Sequence, residues 1–234
     1  MFIIASSGRS GTLALCQGLS QFSDHRVLHE PEPRLLEEAF LKHSGQPYET
    51  AVLRERLVYF RARSAEKYGE SFRAPNLLGE IARAVPQTRF LILVRDPLEY
   101  VISAHSKNVF RKNDEFDRTR IVPRELGDEF AFLSLAERIA WHWVALNTYL
   151  LEFAESDPAP VRVVIAADLD QQADEMIDHL GVRVTDRQGL RLFLNSRPNS
   201  KQSSDMPDGF DPGKLSVITA RVWKRAAEIA RAKA

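Results

Sequence analysis

The sequence predicts an α/β fold, a three-layer sandwich in which a central, mostly parallel sheet lies between two layers of helices. Two observations carry the prediction. Short apolar runs without alternation stand at residues 2–5, 90–94 and, interrupted only by Arg162, 161–166, and strands of that kind are covered on both faces, as in parallel sheets. Between them come longer stretches in which apolar residues recur at helical period, the alternation that builds βαβ units.

Taken in order, the run Phe2-Ile3-Ile4-Ala5 is a strand that passes through a Ser- and Gly-rich turn into a helix over 12–21. A shorter strand is expected at 26–28, followed by helices at 32–42, 49–68 and 76–84. The strand at 90–94 leads through Arg95-Asp96-Pro97 into a helix over 98–108; Asp96 can cap that helix and Pro97 suits its first position. The charged segment 111–129 reads as a surface loop. A helix over 135–155 is apolar nearly all round and should be buried against the sheet. Within it, His142 and Asn147 need protein partners, and Trp141 and Trp143 are core or pocket wall. After the strand at 161–166 come helices at 171–179 and 214–233, with a polar loop at 195–212 between them.

Composition narrows the function. At 234 residues and 44% hydrophobic, residues 1–234 form one domain with a sizeable core. The 32 basic and 32 acidic side chains balance, so no molecule-wide field draws the chain to nucleic acid or an anionic membrane. Any bound anion must be held by a local cluster. A single cysteine, Cys16, excludes an intrachain disulfide and favours a cytoplasmic location. The apolar start is too short for a signal peptide or a membrane span.

Two segments offer such clusters. In Ser7-Gly8-Arg9-Ser10-Gly11-Thr12 a buried strand becomes a helix, which exposes unpaired N–H groups at the positive end of the helix dipole. Gly8 and Gly11 allow close approach, Ser10 and Thr12 add hydroxyls and Arg9 adds charge. Compared with a Walker A loop, Thr12 stands where the Lys would be and Leu13 where the metal-binding hydroxyl would be, so the loop suits a phosphate with no essential metal. The plainer alternative is that Ser10 or Thr12 merely caps the helix. In the second segment, the strand at 90–94 delivers Arg95 to its carboxyl end and Ser103 follows about two helical turns later. Both can face the same cleft; the plainer alternative pairs Arg95 with a nearby carboxylate. Ligands of open parallel sheets bind beyond the carboxyl ends of the strands, so a doubly phosphorylated nucleotide could engage both clusters.

Together these segments resemble the sulfotransferases that use 3′-phosphoadenosine 5′-phosphosulfate (PAPS), particularly carbohydrate and bacterial members with a Gly-Arg-Ser-Gly-Thr loop. Phe72-Arg73-Ala74-Pro75-Asn76 is similar to that family's Lys-x-Pro segment, with Arg73 in place of the Lys. Ala166-Ala167-Asp168-Leu169 with Leu180-Gly181 resembles its Tyr-Glu-Asp-Leu segment, although Tyr and Glu are both Ala here, which leaves Asp168 as a helix cap. The resemblance implies a P-loop NTPase-like sulfotransferase fold and transfer of a sulfuryl group from PAPS to a hydroxyl or amine of a small-molecule, carbohydrate or lipid acceptor. It implies that Ser7, Gly8, Arg9, Ser10, Gly11 and Thr12 grip the 5′-phosphosulfate, and that Arg95 and Ser103 hold the 3′-phosphate. Arg197, Ser200 and Lys201 would close over the nucleotide, and no metal is required. Glu30, in His29-Glu30-Pro31, is the expected base, with Arg9 and Arg73 stabilising charge; His29 and His105 are weaker alternatives for the base. Loops at 46–70 and 111–129 would shape the acceptor pocket. A P-loop kinase and a binding module without activity are the competing readings.

Overall fold

The computed structural model describes residues 1–111, 117, 119–196 and 206–232. Among these residues one parallel sheet runs in the order β2-β3-β1-β4-β5, with β1 (Phe2–Ser6), β2 (Arg26–His29), β3 (Tyr68–Phe72), β4 (Arg89–Val94) and β5 (Val161–Ile165). Period-2 alternation sends successive side chains to opposite faces. Ile3, Ala5, Phe90, Ile92, Val94 and Val163 pack against α2 (Leu35–His43), α3 (Ala51–Arg63), α4 (Leu78–Ala84), α5 (Pro97–His105), α6 (Leu135–Ser156) and α9 (Pro212–Ala232). Phe2, Ile4, Leu91, Leu93 and Val164 pack against α1 (Thr12–Phe22), α7 (Ala173–Leu180) and α8 (Arg187–Asn195). The result is the expected three-layer sandwich.

The sheet extends from β1 to β3 and β2 on one side and to β4 and β5 on the other. The reversal falls at β1, and crevices of open α/β sheets form beyond the strand ends at such a point.

Four expectations need correction. The helix expected over 49–68 ends at Arg63, and Tyr68–Phe72 is a central strand. Its sequence, Tyr-Gly-Glu-Ser-Phe, hides the strand, because Glu70 is fully buried yet paired with Arg56 and Tyr68. Gly69 has a steric reason as well, since a Cβ there would come within 2.1 Å of the Phe2 ring. It follows that segment 46–70 is mostly helix and strand rather than loop. Arg187–Asn195 is a helix where none was expected, started by Asp186, which accepts from the Gly189 N–H at 2.8 Å. Asp168 does not cap α7, which begins at Ala173 after Gln172; it ends a short 3-10 turn, Ala166–Asp168.

Candidate active site

Because all the strands run parallel, the carboxyl ends of β1 to β4 lie along one edge of the sheet. The loop after β1, Glu30 after β2, Arg73 after β3 and Arg95 after β4 meet there.

The first loop is built for close approach. Gly8, Arg9 and Gly11 have φ of 81°, 55° and 83°, the left-handed region that favours glycine. The Gly8 N–H donates to Ser6 Oγ (3.0 Å), Ser10 Oγ donates to the Gly8 carbonyl (2.9 Å) and Tyr100 donates its hydroxyl proton to the Ser7 carbonyl (3.3 Å). Neither Ser10 nor Thr12 caps α1. The N-cap is Gly11, with no side-chain bond to the first turn, so the N–H groups that a cap would engage are left for a ligand. Ser7 Oγ is buried with no hydrogen-bond partner among the described residues. An orphan hydroxyl is costly unless a bound group answers it, and an anionic phosphosulfate on this loop fits that requirement.

Arg95 and Ser103 join the same loop rather than a separate surface. Arg95 Nη1 donates to the Arg9 carbonyl at 2.7 Å, and Arg9 Nε donates to Ser103 Oγ at 3.1 Å. Arg95 also pairs with Glu99 (3.2 Å), the carboxylate contact weighed as the plainer alternative, so the residue makes both contacts. Its backbone is fixed from behind: Trp143 Nε1 donates to the Arg95 carbonyl at 3.1 Å, and Asp96 caps α5 by accepting from Leu98 and Glu99 N–H at 2.9 and 3.0 Å.

Glu30 sits on the opposite side of the loop. It is a non-glycine residue at φ 45°, a backbone state that costs about 1–3 kcal/mol and is kept where the surroundings impose it. Its N–H donates to Ser71 Oγ (3.1 Å), and its Oε2 lies 2.7 Å from Arg73 Nε. Oε1 is 3.5 Å from His29 Nε2, which is itself 3.2 Å from Thr12 Oγ1. α2 is capped at Arg34, so Glu30 does not serve as its cap. Glu30, Glu70, Ser71 and Arg73 line a cavity of about 20 Å³, room for roughly one water molecule or a hydroxyl group.

Arg9, Arg73 and Arg95 thus converge on one crevice. Burial, and next the neighbouring Arg95, hold the Arg9 guanidinium below its ordinary pKa, as expected of a cationic cluster that an anion would relieve. Burial likewise lowers the pKa of His29, against the raising effect of Glu30. His105, the other weaker candidate, is buried in α5, and its Nδ1 has no partner among the described residues. His142 and Asn147 find protein partners, as the sequence suggested: His142 Nδ1 donates to the Ile121 carbonyl (2.6 Å) and Asn147 Nδ2 to the Trp143 carbonyl (2.8 Å). Arg197, Ser200 and Lys201 lie outside the described residues.

Two residues that shape the site escaped the sequence reading, and a third, Trp143, was expected only as core or pocket wall. Ser71 was concealed with β3. Tyr100 and Trp143 look like ordinary apolar helix positions, and only the fold turns the hydroxyl of one and the indole N–H of the other towards the carbonyls of Ser7 and Arg95.

A parallel sheet flanked on both faces by helices, with a glycine-containing loop after its first strand, is an architecture that solved sulfotransferases share. The sulfotransferase from Alicyclobacillus acidocaldarius superposes with a TM-score of 0.55 over 98% of this chain and 95% of its own, at 17% identity. Mouse sulfotransferase SULT7A1, complexed with PAP, superposes with a TM-score of 0.54 over 99% of this chain and 86% of its own, at 12% identity. No protein-family model and no curated protein matches the sequence. The likeness is one of fold, and the chain has the sulfotransferase fold. No helix among the described residues is long and apolar enough to cross a membrane.

Proposed function

We propose that this protein is a PAPS-dependent sulfotransferase acting on a hydroxyl or amine of a small-molecule, carbohydrate or lipid acceptor. One observation carries the reading: the loop after β1 and the Arg95–Ser103 pair are joined through Arg9, beside a buried Ser7 hydroxyl that lacks a partner among the described residues. A nucleotide with phosphates at two positions would engage both clusters at once. SULT7A1, which shares the fold, is complexed with PAP.

PAPS would supply an activated sulfuryl group, which passes to the acceptor oxygen as the sulfur–phosphate oxygen bond breaks and 3′,5′-adenosine bisphosphate leaves. Ser7, Gly8, Ser10, Gly11 and Thr12 hold the 5′ end through N–H and hydroxyl groups, with no metal. Arg95 and Ser103 hold the 3′-phosphate. Glu30 takes the acceptor proton on its carboxylate as the new bond forms. Arg9 and Arg73 face the charge that develops on the departing phosphate, and Arg73 also orients Glu30 through their ion pair.

Thermal-shift measurements with 3′,5′-adenosine bisphosphate and with ATP, each with and without magnesium, test the reading. Stabilisation by the bisphosphate without metal is expected. Stabilisation by ATP with magnesium alone would sink it in favour of a kinase, and no response to either would leave a fold without this activity.

A further inference from the structure

A second cavity, of about 340 Å³, opens at the far end of α2 from Glu30 and is lined by Phe40, His43, Ser44, Arg120, Val122, Pro123, Arg124 and Gly127. It differs from the small cavity beside Glu30, whose lining includes three carboxylates, Glu30, Glu32 and Glu70. Here the charged lining residues are two arginines. We infer that this cavity receives a carboxylate carried by the acceptor, so that the enzyme acts on hydroxylated organic acids; the inference rests on the sulfotransferase reading above.

The backbone between the two arginines is pinned. His142 Nδ1 donates to the Ile121 carbonyl at 2.6 Å, and His43 Nε2 donates to the Val122 carbonyl at 2.8 Å while its Nδ1 accepts from the Tyr149 hydroxyl at 2.9 Å. Both imidazoles donate to backbone carbonyls, and burial lowers the pKa of each, which favours their neutral forms. Arg120 is oriented by Asp117 (2.7 Å) and by the Phe110 ring, 5.4 Å from its guanidinium carbon to the centroid. Arg124 lies over the end of α2, 3.5 Å from the Lys42 carbonyl. Asp117 offsets part of the charge and also accepts from the Phe110 N–H; Glu125 opposes Arg124 in its effect on His43 but does not line the cavity. A guanidinium held this way has lost much of its freedom before the ligand arrives, and its planar fork matches a carboxylate.

Both cavities border α2. Leu35 and Leu36 on the first turn of α2 line the cavity at Glu30, while Phe40 and His43 on its last turns line the basic one. At 1.5 Å per residue the two are roughly 10 Å apart along the helix, within the reach of a phenolic acid or sugar acid whose hydroxyl meets Glu30.

Calorimetry with 4-hydroxyphenylacetate, its uncharged amide and tyramine as probes tests this, with and without bound 3′,5′-adenosine bisphosphate. The acid should bind most tightly, and Arg124→Gln, at an exposed position, should weaken the acid about tenfold or more while leaving the amide and the bisphosphate unaffected. Arg120→Gln is a second variant, with circular dichroism to verify its fold. Equal binding of acid and amide, or no loss for the acid in the folded variants, overturns the inference. If the bisphosphate fails to bind the wild type, the sulfotransferase reading fails instead, while acid binding without nucleotide still reports on the pocket.

Discussion

Replacing Arg95 with Ala separates a nucleotide-binding role from a purely structural one. In the protein the guanidinium gives one bond to the Arg9 carbonyl (2.7 Å) and one to Glu99 (3.2 Å), whose side chain is 54% exposed. The Glu99 pair is a surface contact worth at most about 1 kcal/mol, and the Arg9 tie is worth on the order of 1 kcal/mol. The Arg95 carbonyl that Trp143 engages, and the Asp96 cap, survive the substitution. The fold should therefore persist with a small loss of stability. Nucleotide binding should suffer more: a charge-assisted contact to the 3′-phosphate is worth about 1–3 kcal/mol, or roughly 5- to 150-fold in the dissociation constant of adenosine bisphosphate. Arg95→Lys should fall between wild type and Ala, since it keeps charge without the fork. Calorimetry reads all three, and unchanged affinity in a folded Arg95→Ala protein would refute the reasoning by removing the residue from the site.

Glu30→Gln should leave bisphosphate affinity intact and slow turnover roughly a hundredfold or more; near-normal turnover in a PAPS assay would reject Glu30 as the base. Gly11→Ala forces a Cβ onto a residue at φ 83° and to 3.3 Å from Leu169, so it should cost about 1–2 kcal/mol, roughly 2–8 °C in Tm, and weaken bisphosphate binding as well; an undiminished Tm would contradict the loop geometry. Burial raises the Glu70 carboxyl from its ordinary 4.5 to about 7 despite Arg56, so the folded state binds more protons and stability falls as pH rises through that window. His142, held at about 3 instead of 6.5, gives the opposite slope between about 3 and 6.5, and His25, His29 and His43, also lowered by burial, add to it. Glu70→Gln should expose the histidine slope, gaining on the order of 3 kcal/mol over wild type between pH 4.5 and 7; parallel urea midpoints for the two proteins across that range would count against a buried, proton-binding Glu70.

How far the sequence could be read depends on whether a residue's role is local. β1 and β4 are built on apolar runs and β5 on one interrupted only by Arg162, and the two candidate anion clusters sit at strand-to-helix turns written in their own few residues, so the fold class and the position of these turns were legible. β3 was not, because its interior holds Gly69, Glu70 and Ser71, and each is explained only by a residue elsewhere: Phe2 leaves no space for a side chain at 69, Arg56 pairs with Glu70, and Glu30 uses the Ser71 hydroxyl. The same strand delivers Arg73 to Glu30. A central strand written in polar residues is a local rule broken at a place where the fold uses the break, since an apolar β3 would have been easier to recognise but would leave Glu30 without the Ser71 hydroxyl that engages its backbone and the small cavity without the Glu70 carboxyl in its wall.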